Sequence, residues 1–244
     1  GTATNIIQEL LNDGFQVGTD ASVNTNAVVY YYIAIRGVAG QSHFRTGNYR
    51  GSGGDNRNFI TGGLNFTPDL VGIFGNEGVE KVWRSSAMSG DLTTFFSGIA
   101  SDADYIQNLQ SNGFQIGTKW EVNKSTIEFF FFAMKALAGV VAVGSYTGSG
   151  VDDREITGIG FRPDMVIVKS RSTGVARIRT SDMTTDAQGG YLSATAAAAD
   201  GIQSLSADGF QIGTDGSVNT NAVTYYWIAF KAGDFSAPVV RTAA

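Results

Sequence analysis

The stretch GFQIGTDGSVNTNAVTYYWIAF, residues Gly209–Phe230, decides the fold of this chain because it occurs three times. The earlier copies are GFQVGTDASVNTNAVVYYYIAI at Gly14–Ile35 and GFQIGTKWEVNKSTIEFFFFAM at Gly113–Met134. Their first residues, at positions 14, 113 and 209, are 99 and 96 residues apart. A nearly constant period of this size indicates tandem units of one fold. We call these stretches the first, second and third copy.

Each copy contains two arms that have the composition of β-strands. In the third copy the short arm, Phe210–Ile212, alternates apolar and polar residues, as a half-buried strand does. The connection Gly213–Gly216 is rich in residue types that form turns. The long arm, Val223–Phe230, is dominated by aromatic and β-branched residues, which favour strands. We therefore predict a β-hairpin with a long loop.

The long arm is apolar on both of its faces, which predicts a central strand that is covered on both sides. In the third copy one face carries Tyr226, Ile228 and Phe230, and the other carries Tyr225, Trp227 and Ala229.

An isoleucine and a leucine three residues apart precede every short arm. The pairs are Ile7 and Leu10, Ile106 and Leu109, and Ile202 and Leu205. Because this spacing is typical of one face of a helix, we predict a single helical turn packed under the sheet. Asp104 and Asp200 stand where such a turn would have its N-cap.

The repeats divide the chain into two full units and two partial ones. The predicted divisions are 1–38 (the C-terminal half of a repeat), 39–138 and 139–232 (full repeats), and 233–244 (a tail or the start of a further strand). The chain contains 32 Gly and only 3 Pro, and its apolar runs are short and separated by turn residues. We predict an all-β protein made of tandem antiparallel β-sandwich units with one short helical turn per repeat.

The composition argues against several classes of function. The net charge of −5 lacks the basic excess of a nucleic-acid-binding protein. No apolar run is long enough for a transmembrane helix, so we expect no membrane partner. The single histidine, His43, does not recur in the next unit, and Gly51–Gly54 lacks the lysine and the helix of a phosphate-binding loop. We expect no catalytic residues, no cofactor and no enzymatic activity.

Two matching glycine-rich loops carry the candidate metal ligands Asp55, Asp152 and Asp153. Calcium prefers oxygen ligands, but these loops have few of them and lack the EF-hand spacing. We interpret the carboxylates as turn caps and keep Ca²⁺ binding as the alternative.

The order of motifs in Tyr146–Gly158, Gly160–Val166 and Gly209–Phe230 resembles that of tandem β-repeat modules in phage virion surface proteins, of the tail-fibre-like or decoration type. The resemblance implies a non-enzymatic structural or adhesive part and supplies no catalytic residues. It also implies an extracellular or virion location, with other copies of the chain or other virion or filament proteins as partners.

An alternative function is a carbohydrate- or receptor-binding adhesion module. Trp120 lies in the loop of the second copy, where the other copies have Ala21 and Gly216. A loop tryptophan beside Lys119 and Lys124 is a candidate ligand-binding site for surface glycans, since loops often carry binding residues.

The partial repeats at the two ends predict assembly. Residues 1–38 hold the aromatic arm of a unit, and residues 233–244 resemble the opening strand of one. Tyr30 and Tyr32 would be exposed in an isolated arm, together with an unpaired strand edge. We predict that this arm pairs with another chain, through the tail residues Val239 and Val240. The competing prediction is that the arm closes the sheet of the chain's own 39–138 unit.

Overall fold

A computed structural model describes residues 5–35, 43–59, 64–193 and 195–233 of the chain. The chain forms two compact units, residues 1–36 and residues 37–244. In the described residues every strand pair is antiparallel and the helices are single turns. The predicted all-β class, with one short helical turn per repeat, is confirmed.

The N-terminal unit is the smaller of the two. It contains the antiparallel strands β1 (Ile7–Leu10) and β2 (Phe15–Val17), followed by the helical turn α1 (Ala21–Asn24). Residues 25–35, which include the long arm of the first copy, form no strand.

The larger unit begins with a β-sandwich, which we call the first sandwich. Its elements are β3 (Phe44–Arg50), β4 (Arg57–Phe59), β5 (Leu70–Gly75), β6 (Val82–Ser85), β7 (Thr94–Phe95), β8 (Ile106–Gln110), β9 (Gly113–Ile116), α2 (Trp120–Asn123) and β10 (Glu128–Met134). A five-stranded sheet in the order β3-β10-β5-β6-β7 faces a three-stranded sheet in the order β4-β9-β8.

The second sandwich repeats this topology. Its elements are β11 (Val141–Thr147), β12 (Arg154–Thr157), β13 (Met165–Ser170), β14 (Arg177–Thr180), a 3₁₀ turn (Asp186–Gln188), β15 (Gly190–Tyr191), β16 (Ile202–Ser206), β17 (Gly209–Ile212), α3 (Gly216–Asn219) and β18 (Thr224–Phe230). The five-stranded sheet is β11-β18-β13-β14-β15 and the three-stranded sheet is β12-β17-β16.

The core of each sandwich lies between its two sheets. In the first sandwich, Phe114 of the small sheet and Phe129 of the large sheet are both fully buried in one apolar cluster. Burying one such side chain contributes about 1.5–3 kcal/mol. The long arms of the second and third copies are interior strands, since β10 lies between β3 and β5 and β18 lies between β11 and β13.

The predicted hairpin is wrong, because the two arms of a copy do not pair with each other. Strand β9 pairs with β4 and β8, whereas β10 belongs to the opposite sheet. The connection that contains α2 carries the chain from one sheet to the other. The arms meet through side chains across the core instead, with the rings of Phe114 and Phe131 5.1 Å apart.

The predicted place of the helical turn is also wrong. Ile106 and Leu109 lie on strand β8, whose register shifts between Ile106 and Asn108. Such a bulge inserts one extra residue, so residues three apart come to lie on the same face of a strand. Strands β1 and β16 have the same register shift, after Ile7 and Ile202.

The helical turns lie instead in the connections between the arms. Asp20 and Asp215 cap α1 and α3, because each carboxylate accepts a hydrogen bond from a backbone amide of its turn. Asp104 and Asp200, which were the predicted caps, adopt a left-handed backbone with φ of 71° and 58°.

The two sandwiches pack against each other within the larger unit. We call the side of each five-stranded sheet that points away from its own core the back face. Backbone hydrogen bonds link the segment after β7 to the β13–β14 turn: Ala176 N donates to Phe96 O at 3.1 Å, and Ser101 N donates to Arg171 O at 2.8 Å. We call this contact, between residues 96–101 and 171–176, the module seam.

Candidate functional site

The long arm of the first copy makes the same local contacts as the long arm of the third copy. The Tyr30 hydroxyl donates to Ala21 O at 2.7 Å, and in the third copy the Tyr225 hydroxyl donates to Gly216 O at the same distance. The ring of Tyr32 contacts Phe15 edge-on, with the centroids 4.8 Å apart. The arm therefore has the shape of its counterpart near the helical turn.

The burial of these tyrosines is nevertheless very different from that of their counterparts. Tyr30 is 39% exposed and Tyr32 is 72% exposed, whereas Tyr225 and Trp227 are buried. In the second sandwich β11 and β13 flank the aromatic strand on both sides, and the described residues 5–35 contain no such strands. Residues 28–33 thus form an exposed apolar row, which we call the N-terminal row. Val239 and Val240, the predicted partners, lie outside the described residues.

A second exposed surface lies on the back face of the first sandwich. We call it the aromatic patch, and it consists of Phe74, Phe130 and Phe132. Phe130 is 46% exposed, and the rings of Phe74 and Phe132 lie 5.8 Å apart. Together with Thr46 and Asn48 of the edge strand β3, the patch lines an open groove of about 590 Å³. The prediction that the long arm is covered on both faces is therefore wrong for the second copy.

The equivalent face of the second sandwich is closed. Tyr226 and Ile228 replace Phe130 and Phe132 and are 4% and 1% exposed, so here the prediction of two covered faces holds. The counterpart of Phe74 is Lys169, which is fully buried. Its ammonium donates to Ser170 O at 2.6 Å and to Ser172 O at 3.0 Å, and burial lowers its pKa to about 8.

The predicted glycan-binding residues come together only in part. Trp120 is the first residue of α2 and is 51% exposed, and Lys124 Nζ lies 5.9 Å from the centre of its ring. Lys119 instead points to Asp102, with Nζ and Oδ2 3.3 Å apart. The available surface is therefore an indole with one cation beside it.

Two of the predicted metal ligands, Asp55 and Asp152, accept hydrogen bonds from the backbone of their own turns. Asp55 Oδ1 accepts hydrogen bonds from Asn56 N at 2.7 Å and from Gln107 Nε2 at 3.0 Å. Asp152 Oδ1 accepts from the backbone amide of Asp153 at 2.9 Å in the matching loop. In the part of the chain that the structure describes, no three His, Cys, Asp or Glu side chains form a group that could hold a metal. These contacts fit the turn-capping interpretation, and Ca²⁺ binding stays a prediction.

Comparison with known proteins identifies one related domain. Residues 140–242 match a domain of unknown function, DUF7483. No curated protein and no solved structure matches the chain. The matched stretch contains the second sandwich and extends into residues that the structure does not describe. Among the described residues, no helix is long and apolar enough to span a membrane.

Sequence reasoning missed a pair of buried asparagines. Asn219, within the DUF7483 match, is fully buried, and its amide donates to Val151 O at 2.7 Å and to Gly213 O at 2.8 Å. Its Oδ1 accepts from Ser149 N at 2.9 Å, so one side chain joins the α3 turn to the loop after β11. Asn123 makes the same contacts in the first sandwich. The signal was the Val-Asn dipeptide that ends the helical turn in all three copies.

Proposed function

We propose that this chain is a non-enzymatic structural protein of a virion exterior, of the tail-fibre or decoration type, or of an extracellular filament. It assembles with other copies of itself, or with other virion or filament proteins, through contacts between β-repeats. The observation that carries the proposal is the N-terminal row, since its counterparts in both complete sandwiches are interior strands with a neighbouring strand on each side. The assignment to a virion or a filament rests on the resemblance of the repeat motifs.

Covering the N-terminal row would stabilise the protein, because the side chains of the row are apolar and exposed. Val29 is 74% exposed and Tyr32 is 72% exposed. Covering a side chain of this size contributes about 1.5–3 kcal/mol. An extended segment that lacks a neighbouring strand also offers its backbone groups to a strand from another chain. Strand addition by a second copy supplies both the apolar cover and the backbone hydrogen bonds.

The tail of a second copy is the strand that we propose to occupy this row. Residues 240–242 read VRT, and strand β3 has FRT at residues 44–46. Strand β3 pairs with β10, which is the counterpart of the N-terminal row in the second copy. In the register of β3 with β10, Val240 would lie opposite Ile35 and Ala243 opposite Tyr32.

Electron microscopy combined with sedimentation velocity tests the proposal. We expect the purified protein to form ordered oligomers or filaments whose mass rises with concentration. The double variant Tyr30→Ser/Tyr32→Ser should shift the population towards monomer. Trp120→Ser is the matched control, because it removes an aromatic side chain outside the row whose exposure of 51% lies between those of Tyr30 and Tyr32. A wild-type protein that stays monomeric at the highest attainable concentration contradicts the proposal.

The second candidate function is carbohydrate or receptor binding by the α2 turn. It is favoured by the pairing of the exposed Trp120 with Lys124, since aromatic faces stack on apolar ligand surfaces and a neighbouring cation adds polar contacts. Binding of the protein to a glycan array, and its loss in Trp120→Ala, would support this function. Assembly that is unchanged in Trp120→Ala would show that the two functions are separate.

A further inference from the structure

The aromatic patch has the same position in the first sandwich as the buried back face that lies beside the module seam in the second sandwich. Phe74 stacks on Phe96, with ring centroids 6.2 Å apart, and Phe96 also contacts Trp83 at 6.1 Å. The carbonyl of Phe96 belongs to the module seam, where it accepts a hydrogen bond from Ala176 N. The exposed patch is therefore continuous with an interface that exists within the chain.

We propose that the aromatic patch docks a second copy of this chain, through the segment that follows β15 in the partner's second sandwich. This inference rests on the proposed function, because it assumes that the chain associates with itself. It adds a second assembly surface, which is distinct from the N-terminal row.

The module seam is the template for this docking. In the seam, residues 96–101 of one sandwich lie against residues 171–176 of the next. The back face beside the latter segment is closed, with Tyr226, Ile228 and Lys169 all buried.

The second sandwich contains a counterpart of residues 96–101, the segment that follows β15, which we call the donor segment. Strand β15 is the counterpart of β7, so Leu192 is the counterpart of Phe96. The amide of Leu192 donates to Ala176 O at 2.8 Å, just as the amide of Phe96 donates to Lys81 O at 3.2 Å. Ser193 and residues 195–197 beyond it are exposed, so this segment is available to another molecule.

The first sandwich contains the matching segment against which the donor segment of another copy would lie. Residues 76–81 between β5 and β6 are the counterpart of residues 171–176, and residues 76–78 are exposed next to the patch. Residues 192–193 and 195–199 of the donor segment are uncharged and contain four alanines, a composition that suits contact with phenylalanine rings. Leu192 would lie beside Lys81 and Phe74 of the partner, as Phe96 lies beside Ala176, the counterpart of Lys81, in the seam.

The proposed contact is heterologous, because the two surfaces lie on different sandwiches. The described part of each chain has one aromatic patch and one donor segment. Occupation of one of these surfaces leaves the other free to bind a further copy. A contact of this type produces a ring or an open filament. This expectation follows from the module seam, which joins two different segments, and it does not depend on the N-terminal row.

Two single variants of the full chain test the docking. Phe130→Asp puts a charge into the patch, and Leu192→Asp puts a charge into the donor segment. We expect each variant to raise the dissociation constant for self-association at least about tenfold, as the loss of a central apolar contact does. Val151→Asp is the control, because Val151 is an apolar residue 61% exposed in a loop outside both surfaces. Circular dichroism establishes that the variants are folded.

Mixing the two variants provides the decisive result. For this test both variants also carry Tyr30→Ser/Tyr32→Ser, so that the N-terminal row does not contribute. Each variant retains the docking surface that the other has lost, so an equimolar mixture should form a species of two chains in sedimentation velocity. The absence of that species, when each variant alone is monomeric, overturns docking between patch and donor segment. A variant Phe130→Asp that loses stability without a change in mass also overturns it, because the occupant would then belong to the same chain.

The experiment also separates this inference from the proposed function. If Phe130→Asp and Leu192→Asp assemble like the wild type while Tyr30→Ser/Tyr32→Ser does not, the second surface is refuted and the structural role stands. If the wild-type protein does not associate at all, both are refuted.

Discussion

Residues 5–24 and residues 200–219 have nearly the same local structure but very different burial. Both begin with a bulged strand and continue into a helical turn capped by an aspartate, and the first carbonyl of that turn accepts a hydrogen bond from a tyrosine hydroxyl of the following arm. Ile7 is 59% exposed, whereas its counterpart Ile202 is fully buried. The local hydrogen bonds are therefore encoded within each copy, whereas the burial of the third copy comes from the other strands of its sandwich.

The difference should appear in stability as well as in shape. A two-stranded hairpin is marginally stable by itself, because it buries little apolar surface. Residues 5–35 should therefore open at a small cost, while opening of residues 200–230 should require unfolding of the second sandwich. Substitutions at equivalent positions in the two copies test this directly.

The largest expected difference concerns the tyrosine at the start of the aromatic arm. Tyr225→Ala leaves a cavity in the core of the second sandwich and should lower the free energy of unfolding by about 3–5 kcal/mol. Tyr30→Ala removes the equivalent, exposed side chain and should cost less than about 1 kcal/mol. Urea denaturation of dilute, monomeric protein measures both. Equal losses at the two positions would show that the first copy is as well covered as the third.

The asparagine that ends the helical turn should show the next largest difference. Asn219→Ala leaves buried backbone groups of two loops without partners and should cost about 2–3 kcal/mol. The Asn24 amide donates to Gly18 O at 2.7 Å, and within the described residues no second loop is bound to this side chain. Asn24→Ala should therefore cost under about 1 kcal/mol in the same urea titration. A small effect at Asn219 would mean that its four side-chain hydrogen bonds do not hold the loops together.

The buried Lys169 allows a measurement of how well the back face of the third copy is sealed. Its folded pKa of about 8 lies below the ordinary value of 10.5, so the unfolded chain binds more protons between these pH values. Stability should therefore rise with pH in this window, by about 1.3 kcal/mol between pH 7 and pH 9.

The variant Lys169→Met is the control for this titration, because it removes the ammonium but keeps most of the apolar side chain. Its free energy of unfolding should depend less on pH above pH 8, because the titrating ammonium of Lys169 is absent. A wild-type profile identical to that of Lys169→Met would show that the lysine reaches solvent and that the face is open.

The sequence predicted the strands of the fold better than their partners. The long arms were recognisable because their apolar pattern recurs three times, and two of them are interior strands as predicted. The hairpin could not be excluded from sequence, since an arm of the composition of Phe114–Ile116 pairs equally well with its neighbour or with distant residues such as Arg57–Phe59. The bulge in β8 produced a three-residue spacing that a helix also produces.

The candidate surfaces were predicted only where local sequence determines exposure. Trp120 follows a loop residue and is exposed as a loop tryptophan is expected to be. Lys119 was assigned to the same surface, but Asp102, which is distant in sequence, draws it away. The aromatic patch could not be predicted, because Phe130 and its buried counterpart Tyr226 differ in what packs on the sheet rather than in their own strands.

Amide hydrogen exchange as a function of protein concentration tests the central claim most directly. If the N-terminal row accepts a strand from another copy, the amides of residues 28–33 should exchange more slowly as the protein is concentrated. Residues 223–228 of the third copy provide the reference, because they are already paired within the chain and should not change. Exchange in residues 28–33 that stays fast at every concentration, while the protein assembles, would contradict the account.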